Sequence, residues 1–477
     1  VTPEAGAFAG ERAVVVGLGS SGVAAARVLA EEGASVLVTE RRPLGEVSLD
    51  GVPDGVEVEA GGHRPEHLDG ATLVVTSPGV PEREDVLVWA ADRGLPVWSE
   101  IELGARLARV PYVAITGTNG KSTTTEMVAA AMRQGGLDAV ACGNIGHPFS
   151  LAAREEHDAL AVEVSSFQLR HHASFHPRVS VLLNLAPDHL DWHGSFPAYA
   201  EAKARVFELQ SGSDVHIGNA DDATAADVSR RARCEVRWFR LGEPAGNDVG
   251  FEGGQLASGA LRLGRPRGTG AGFRADAAAA AAAALAFGID PVAVRDGIAR
   301  VSPLPHRGQV AAVAAGVCFV DDSKATNPHA ALAAIEGLSD VVLIAGGVAK
   351  GVDLSPLAQA IPALVGVVAI GESAPEVVAV FDDRVPVRTA ASMEAAVLAA
   401  FEMAPRGRGT VLLAPACASW DMFRDYANRG DRFVEAARDL ARAEGDDDPP
   451  SDDARPNGGT EQVPTRNERE GAARGQS

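Results

Sequence analysis

Residues Ile115-Thr116-Gly117-Thr118-Asn119-Gly120-Lys121-Ser122-Thr123 constrain the fold more than any other stretch. An apolar run, Tyr112 to Ile115, leads straight into them, and a helix-forming run, Thr124 to Arg133, follows. A strand, a turn with two glycines and a helix together make a nucleoside-triphosphate loop. The glycines let the backbone curl so that several N–H groups point at phosphate oxygens, and the helix adds its positive end. Lys121 is expected to reach the terminal phosphates. Ser122 or Thr123 is expected to offer a hydroxyl to Mg²⁺, a hard cation that prefers oxygen ligands. The general pattern begins with a glycine where this chain has Ile115, so the loop is a shortened variant.

The 477 residues are too many for one core and suggest about three domains, and an apolar fraction of 46% supports globular ones. A net charge of −21 argues against nucleic acid and anionic membrane surfaces, which need a basic face. Cys142, Cys234, Cys318 and Cys417 have no paired spacing, which fits buried thiols in a reducing compartment such as the cytoplasm. Val1 to Gly10 lack a basic region followed by an apolar core, so no signal peptide is expected. Leu354 to Gly371 is uncharged and long enough to raise a membrane question, but Pro356, Gln359, Pro362 and Gly366 interrupt it, and it reads as helix, loop and buried strand rather than a membrane span.

The expected fold class is α/β in three domains: a Rossmann-like N-terminal domain (1–109), a central ATPase-like domain with a mixed sheet (110–305) and a Rossmann-like C-terminal domain (306–444). In the first, a strand over Arg12 to Val16 enters Gly17-Leu18-Gly19-Ser20-Ser21-Gly22, and a second strand, Ser35 to Thr39, ends at Glu40. That pattern suits a diphosphate on the glycine turn and a ribose or base on the acid, and by itself leaves an NAD-linked oxidoreductase open. Leu73 to Thr76 leads into Ser77-Pro78-Gly79, a turn that serves either contact or punctuation.

In the centre, Glu163 ends the strand Ala159 to Val164, where an acid is well placed to hold Mg²⁺ or to cap a helix. The strand Val179 to Leu183 delivers Asp188, His189 and Asp191, a metal-proximal loop. Eight consecutive alanines, Ala277 to Ala284, read as a close-packing helix. In the last domain, three strand ends deliver Lys324, Lys350 and Ser419 to one sheet edge, where two lysines suit a dicarboxylate or phosphate. From Gly445 onward eight acids, four arginines and almost no apolar residues predict a disordered tail.

Taken together, Thr116 to Thr123, Gly143-Asn144-Ile145-Gly146, Glu163-Val164-Ser165-Ser166-Phe167-Gln168-Leu169, Asp188-His189-Leu190-Asp191, Pro305-His306-Arg307 and Asp322-Ser323-Lys324-Ala325-Thr326-Asn327 resemble the Mur ligases of peptidoglycan synthesis. The likeness spans about residues 10 to 443. Gly17 to Gly22, Ser77 to Gly79, Gly346 to Gly351 and Pro415 to Ser419 point to the branch that adds D-glutamate to UDP-N-acetylmuramoyl-L-alanine.

The resemblance implies an ATP-dependent amide ligase, cytoplasmic and monomeric, with two Mg²⁺ ions and an acyl-phosphate intermediate. It implies catalytic roles for Lys121, Glu163, His189 and Lys203, and ATP binding by Gly117, Thr118, Asn119, Gly120, Lys121, Ser122, Thr123, Arg307, Asp322 and Lys324. Leu18, Ser20, Glu40, Arg41, Ser77, Gly79, Asn144 and Ser165 would bind the UDP substrate, and Thr326, Lys350, Ser419 and Tyr426 would bind D-glutamate. Ser122, Glu163, His189 and Lys203 would hold the metal, Lys203 as a carbamate formed with CO₂, which requires a desolvated neutral amine. Gly272-Phe273 and Asp276 stand where relatives usually carry amides for adenine. A ligase for another amino acid, an NAD-linked oxidoreductase and a nucleotide-dependent scaffold are the competing readings.

Overall fold

The computed structural model describes residues 6–268, 270–303 and 305–446. The tail expected to be disordered lies, from residue 447 on, outside the described residues. The chain forms two compact units, one up to residue 304 and one from Pro305.

The first unit holds two parallel sheets. Strands β1 (Arg12–Val16), β2 (Ser35–Glu40), β3 (Glu57–Ala60), β4 (Leu73–Thr76) and β5 (Val97–Ser99) pair in the order β3-β2-β1-β4-β5. All these pairs are parallel. The order reverses between β1 and β4, the switch point at which doubly wound sheets open a ligand crevice, and Gly17 to Gly22 leaves β1 there. Alternate residues of β1 face opposite layers: Ala13 and Val15 pack with Ala25, Ala26 and Leu29, whereas Val14 and Val16 pack with Val86, Leu87 and Ala90.

The second sheet contains β6 (Tyr112–Thr116), β7 (Ala139–Gly143), β8 (Ala159–Glu163), β9 (Val179–Leu182), β10 (Val215–Asn219) and β11 (Glu235–Phe239), ordered β11-β10-β9-β6-β8-β7. The expected mixed sheet separates into this wholly parallel one and a three-stranded antiparallel sheet of β12 (Gly250–Glu252), β13 (Gln255–Ser258) and β14 (Leu261–Arg262). Chain length explains the split. Only Gly253 and Gly254, both at positive φ, join β12 to β13, which permits a hairpin but no crossover helix.

The helix Lys121–Gln134 begins directly at the phosphate loop, three residues earlier than the apolar pattern suggests, because Gly120 at φ 87° turns the chain into it. The alanine run lies inside the helix Ala271–Phe287 with every one of its eight alanines buried, in one core with Met127, Val128 and Ala131. A second small-residue contact holds the other side: a Cβ on Gly297, in the helix Pro291–Ile298, would lie 2.5 Å from the Cα of Ala131.

The two domains of this unit are tied by polar contacts. Glu102 accepts from the backbone N–H groups of Ala173 and Ser174 at 2.9 and 2.8 Å, and Arg170 pairs with Glu82 at 2.6 Å. Glu100, fully buried, accepts from the N–H of Ser150 at 2.6 Å, and its burial pushes its pKa up.

The second unit contains β15 (Gln309–Ala314), β16 (Val317–Asp321), β17 (Val341–Gly346), β18 (Leu364–Ile370), β19 (Val387–Ala390) and β20 (Thr410–Leu413), ordered β15-β16-β20-β17-β18-β19 with only β15 antiparallel. Strands β16, β20 and β17 are neighbours, so the loops bearing Lys324, Ser419 and Lys350 leave adjacent strand ends. The uncharged stretch before residue 371 forms a 3-10 helix, Ser355–Ala363, and the buried strand β18. No helix among the described residues is long and apolar enough to cross a membrane.

Candidate active site

The phosphate loop is held in shape by its neighbours together with one side chain of its own, Thr118. Gly117 sits at φ 154°, and a Cβ there would lie 2.8 Å from the Cβ of Leu183. The Thr118 hydroxyl is fully committed: it donates to the carbonyl of Ala186 at 3.2 Å and accepts from the Ala186 N–H and the Tyr199 hydroxyl, both at 3.0 Å. Asn184 brackets Asn119, accepting from its N–H at 2.8 Å and donating to its carbonyl at 3.1 Å. The loop backbone is thus pre-shaped as a cradle, which costs nothing to organise when an anion binds.

Two lysines meet at that cradle. Lys121 Nζ donates to the carbonyls of Gly117 and Thr118 at 3.1 and 2.9 Å, and Lys203 Nζ donates to the same Gly117 carbonyl at 2.8 Å. Lys203 is 2% exposed and sits 4.8 Å from the Tyr199 ring centroid. Its pKa is lowered well below the ordinary lysine value, first by burial and then by the charge of Lys121, against the pull of Asp188 and Glu163. Burial and Lys121 both disfavour the charged ammonium form of Lys203.

Glu163 is 3% exposed at the end of β8. Its Oε1 accepts from Asn144 Nδ2 at 3.0 Å, while Oε2 is buried with no hydrogen-bond partner. Ser122 is half-buried at the mouth of the loop, whereas the Thr123 hydroxyl is buried and unpartnered. His189 adopts φ 53°, its ring edge-on to Phe167 at 4.9 Å and its Nε2 3.8 Å from Asp188. Asp276, 7% exposed, lies against the loop so closely that a Cβ on Gly120 would fall 2.0 Å from its Oδ1.

A cleft of about 520 Å³ opens at the switch point of the first sheet and reaches Asn144 of the neighbouring domain. Of the residues expected to bind the UDP substrate, Leu18, Ser20, Glu40, Arg41, Ser77, Gly79 and Asn144 line it. Ser165 does not, because its hydroxyl exchanges hydrogen bonds with Gln168 in a capping box at the start of the helix Ser166–Leu169. Glu40 also works differently from a free ribose ligand. Its carboxylate accepts from the Leu18 N–H at 2.8 Å and from Arg42 Nε at 3.0 Å and Nη2 at 3.1 Å. Arg42 beside it holds the carboxyl down at about 2.

Glu40 therefore ties the glycine turn to β2. Glu40→Gln, which removes the charge and half of the acceptor capacity, is expected to raise the KM for the uridine substrate about tenfold with little change in kcat, measured by steady-state kinetics. The sign with pH follows from the lowered value. The tie is present above the ordinary carboxylate value of 4.5 and is lost only as the pH falls towards about 2, so it contributes a constant term across neutral pH.

In the second unit, Lys324 Nζ lies 3.6 Å from the Tyr426 ring centroid, and Ser419 is 2% exposed. Burial raises the Asp322 pKa to about 7, opposed by Arg307 and reinforced by Asp321. Arg429, absent from the residues expected from sequence, is wholly buried and organises this edge: it donates to the Ser323 hydroxyl and carbonyl and to the Cys417 carbonyl at 2.8 to 3.0 Å. Lys350 is at φ 55°.

Three domain families match in order: the Mur ligase MurD-like N-terminal domain over residues 11–99, the Mur ligase middle domain over 115–255 and the Mur ligase glutamate ligase domain over 306–417. A protein of Frankia casuarinae named UDP-N-acetylmuramoylalanine–D-glutamate ligase is 43% identical, with 90% of this chain and 94% of that protein covered. The chain belongs to the Mur ligase family. A second protein of that name, from Streptomyces avermitilis, is 40% identical over 90% of this Mur ligase and 98% of its own length. Among solved structures, a pseudomurein peptide ligase type C from Methanothermus fervidus shares the fold at a TM-score of 0.59 and 19% identity, covering 89% of this chain and 99% of its own.

The donor set of this Mur ligase fits a magnesium ion. A buried carboxylate oxygen without a partner, a hydroxyl at the loop mouth and a histidine on the adjoining loop are compatible with a hard cation that keeps several waters. Among the described residues no three His, Cys, Asp or Glu side chains cluster as an all-protein metal cage. The site's donors instead border a phosphate loop, where the phosphate oxygens of a bound nucleotide would supply further ligands.

Proposed function

We propose that this Mur ligase couples ATP cleavage to the joining of D-glutamate to UDP-N-acetylmuramoyl-L-alanine, in the cytoplasmic synthesis of peptidoglycan precursors. The observation that carries the reading is that relatives 43% and 40% identical across 90% of the chain bear the name of that ligase. A carboxylate oxygen of the substrate's alanine attacks the γ-phosphorus of ATP, and ADP leaves. The D-glutamate amine then attacks the carbonyl carbon of the acyl phosphate. The tetrahedral adduct expels phosphate, the nitrogen loses a proton, and an amide remains.

Each part of the site has a task in that sequence. The backbone of Gly117 to Gly120 receives the phosphates, and Lys121, already on the loop's carbonyls, offsets charge that gathers as triphosphate and carboxylate approach. Magnesium, in two ions held by Ser122 and Glu163 and by His189 and carbamylated Lys203, would supply further charge neutralisation. Asn144, which both lines the cleft and bonds Glu163, links the sugar end of the uridine substrate to the phosphoryl-transfer site. In the second unit we assign Arg307, Asp322 and Lys324 to ATP, and Thr326, Lys350, Ser419 and Tyr426 to D-glutamate.

The deciding experiment is phosphate release from ATP·Mg²⁺ with UDP-N-acetylmuramoyl-L-alanine, offering D-glutamate, L-glutamate, L-alanine, L-lysine and meso-diaminopimelate separately. Release stimulated by D-glutamate alone, with one amide product, is expected. Stimulation by a different amino acid would overturn the specificity, and silence with all five would overturn the reaction.

A further inference from the structure

We infer that His63 is a specificity-determining hydrogen-bond donor to the pyrimidine of the uridine substrate, its proton held on Nε2 by a chain running from His67 through Thr39. This rests on the proposed function for the identity of the nucleotide. His63 lies just beyond β3, lines the cleft and is half-buried. The Thr39 hydroxyl, wholly buried at the end of β2, lies 2.9 Å from His63 Nδ1 and 2.8 Å from His67 Nδ1.

One hydroxyl has one proton, so Thr39 donates to one imidazole and accepts from the other. Burial lowers both pKa values below the ordinary imidazole value, so both rings are mainly neutral at a pH above it. Two directions are then possible. If Thr39 donated to His67, the His67 proton would sit on Nε2, which is buried with no hydrogen-bond partner, and a buried orphan N–H is among the rarest features of folded proteins. The reverse direction leaves only an unused lone pair there. His67 therefore donates from Nδ1 to Thr39, Thr39 donates to His63 Nδ1, and His63 carries its proton on Nε2.

The place of that donor follows from the sheet order. The glycine turn for the diphosphate follows β1, Glu40 ends β2, and His63 follows β3, the next strand outward. With the diphosphate assigned to the glycine turn, the positions after β2 and β3 in the same cleft are the ones left for the nucleoside. Uracil presents a carbonyl oxygen where cytosine has an amine, so a fixed N–H donor favours one and leaves the other donor against donor. Discrimination of this kind is large because the wrong partner strands a polar group.

The test is calorimetric binding of UDP and CDP to the full-length protein. In His63→Leu, UDP affinity is expected to fall about tenfold while CDP affinity stays within twofold, and His63→Gln, whose amide still donates, is expected to keep part of the preference. Thr39→Val, which keeps both imidazoles but breaks the chain, is expected to narrow the UDP preference too, whereas Thr39→Ser keeps it. Equal losses for UDP and CDP, or none, would overturn the inference while leaving the proposed function standing. If the unaltered protein bound no UDP, the reading of the cleft would fall with it. Thermal unfolding of each variant separates lost folding from lost contact, and the Thr39 pair decides the matter if His63→Leu does not fold.

Discussion

Lys121→Ala is expected to abolish nearly all D-glutamate-dependent phosphate release, with a fall in kcat of about a thousandfold or more. Lys121 Nζ is 3.1 and 2.9 Å from two loop carbonyls, so the side chain is already folded over the cradle that receives the phosphates. In the reaction three negative groups converge there: the γ-phosphate, the β-phosphate that departs with ADP, and the substrate carboxylate. Removing the one lysine of the loop takes away the loop's own compensating charge, and burial disfavours a charge on Lys203. Arginine is expected to rescue poorly, because a planar fork cannot take the place of a compact ammonium against the curled backbone. The measurement is single-turnover phosphate release at saturating substrates. A Lys121→Ala variant within tenfold of the parent would remove the phosphate loop from the mechanism and revive a nucleotide-dependent scaffold.

Lys203→Ala is the second large loss, on the order of a hundredfold to a thousandfold in kcat, and it should be partly reversed by millimolar formate or acetate. The argument starts from burial. A lysine at 2% exposure, bonded to one carbonyl that Lys121 also uses, is a poor place for a second positive charge. In its neutral form the amine has the lone pair that would add to CO₂ with loss of a proton, and the proposed carbamate would be an anion near Glu163 and Asp188 that needs a cation to be stable. Deleting the side chain removes the atoms that would carry the carbamate, and an added small carboxylate is expected to supply oxygens in their place. Activity assays with and without the added acid, and with CO₂ stripped from the parent enzyme, check this. Full activity of the alanine variant in the absence of any acid would refute the carbamate, and loss without rescue would make Lys203 a support for Gly117.

What sequence made visible was local. An apolar run that ends in a turn of small or polar residues announces itself through composition, so β1, β4, β6, β8, β17 and β20 and the loops after them could be read directly. The short strands β3, β5 and β19 could not, because three or four residues are too few to set a period. Site residues divide in the same way. Lys121 and Glu163 follow from their place after a strand. Glu40 was found by position, yet its actual partners, Arg42 and the Leu18 N–H, depend on how two loops meet. Ser165 carried a readable signal in the Ser-x-x-Gln spacing of a capping box, which marks a helix start. Arg429 carried none: an arginine in an amphipathic helix is ordinarily solvated, and only the fold shows it enclosed between Ser323 and Cys417.

The alanine-walled bed of the phosphate-loop helix ties the catalytic loop to the fortunes of its whole domain. With buried alanines on one side and Gly297 against Ala131 on the other, the helix Lys121–Gln134 has no looser register to slip into. The loop at its head cannot melt by itself while the helix stays, so it shares the free energy of the cooperative unit rather than that of a surface turn. Substitutions that enlarge a residue in this bed, far in sequence from Lys121, act through the same rigid body and change the geometry of the cradle before they unfold it. Tolerance to mutation in this enzyme is therefore narrowest not only where the chemistry occurs but also along a stretch whose side chains are single methyl groups.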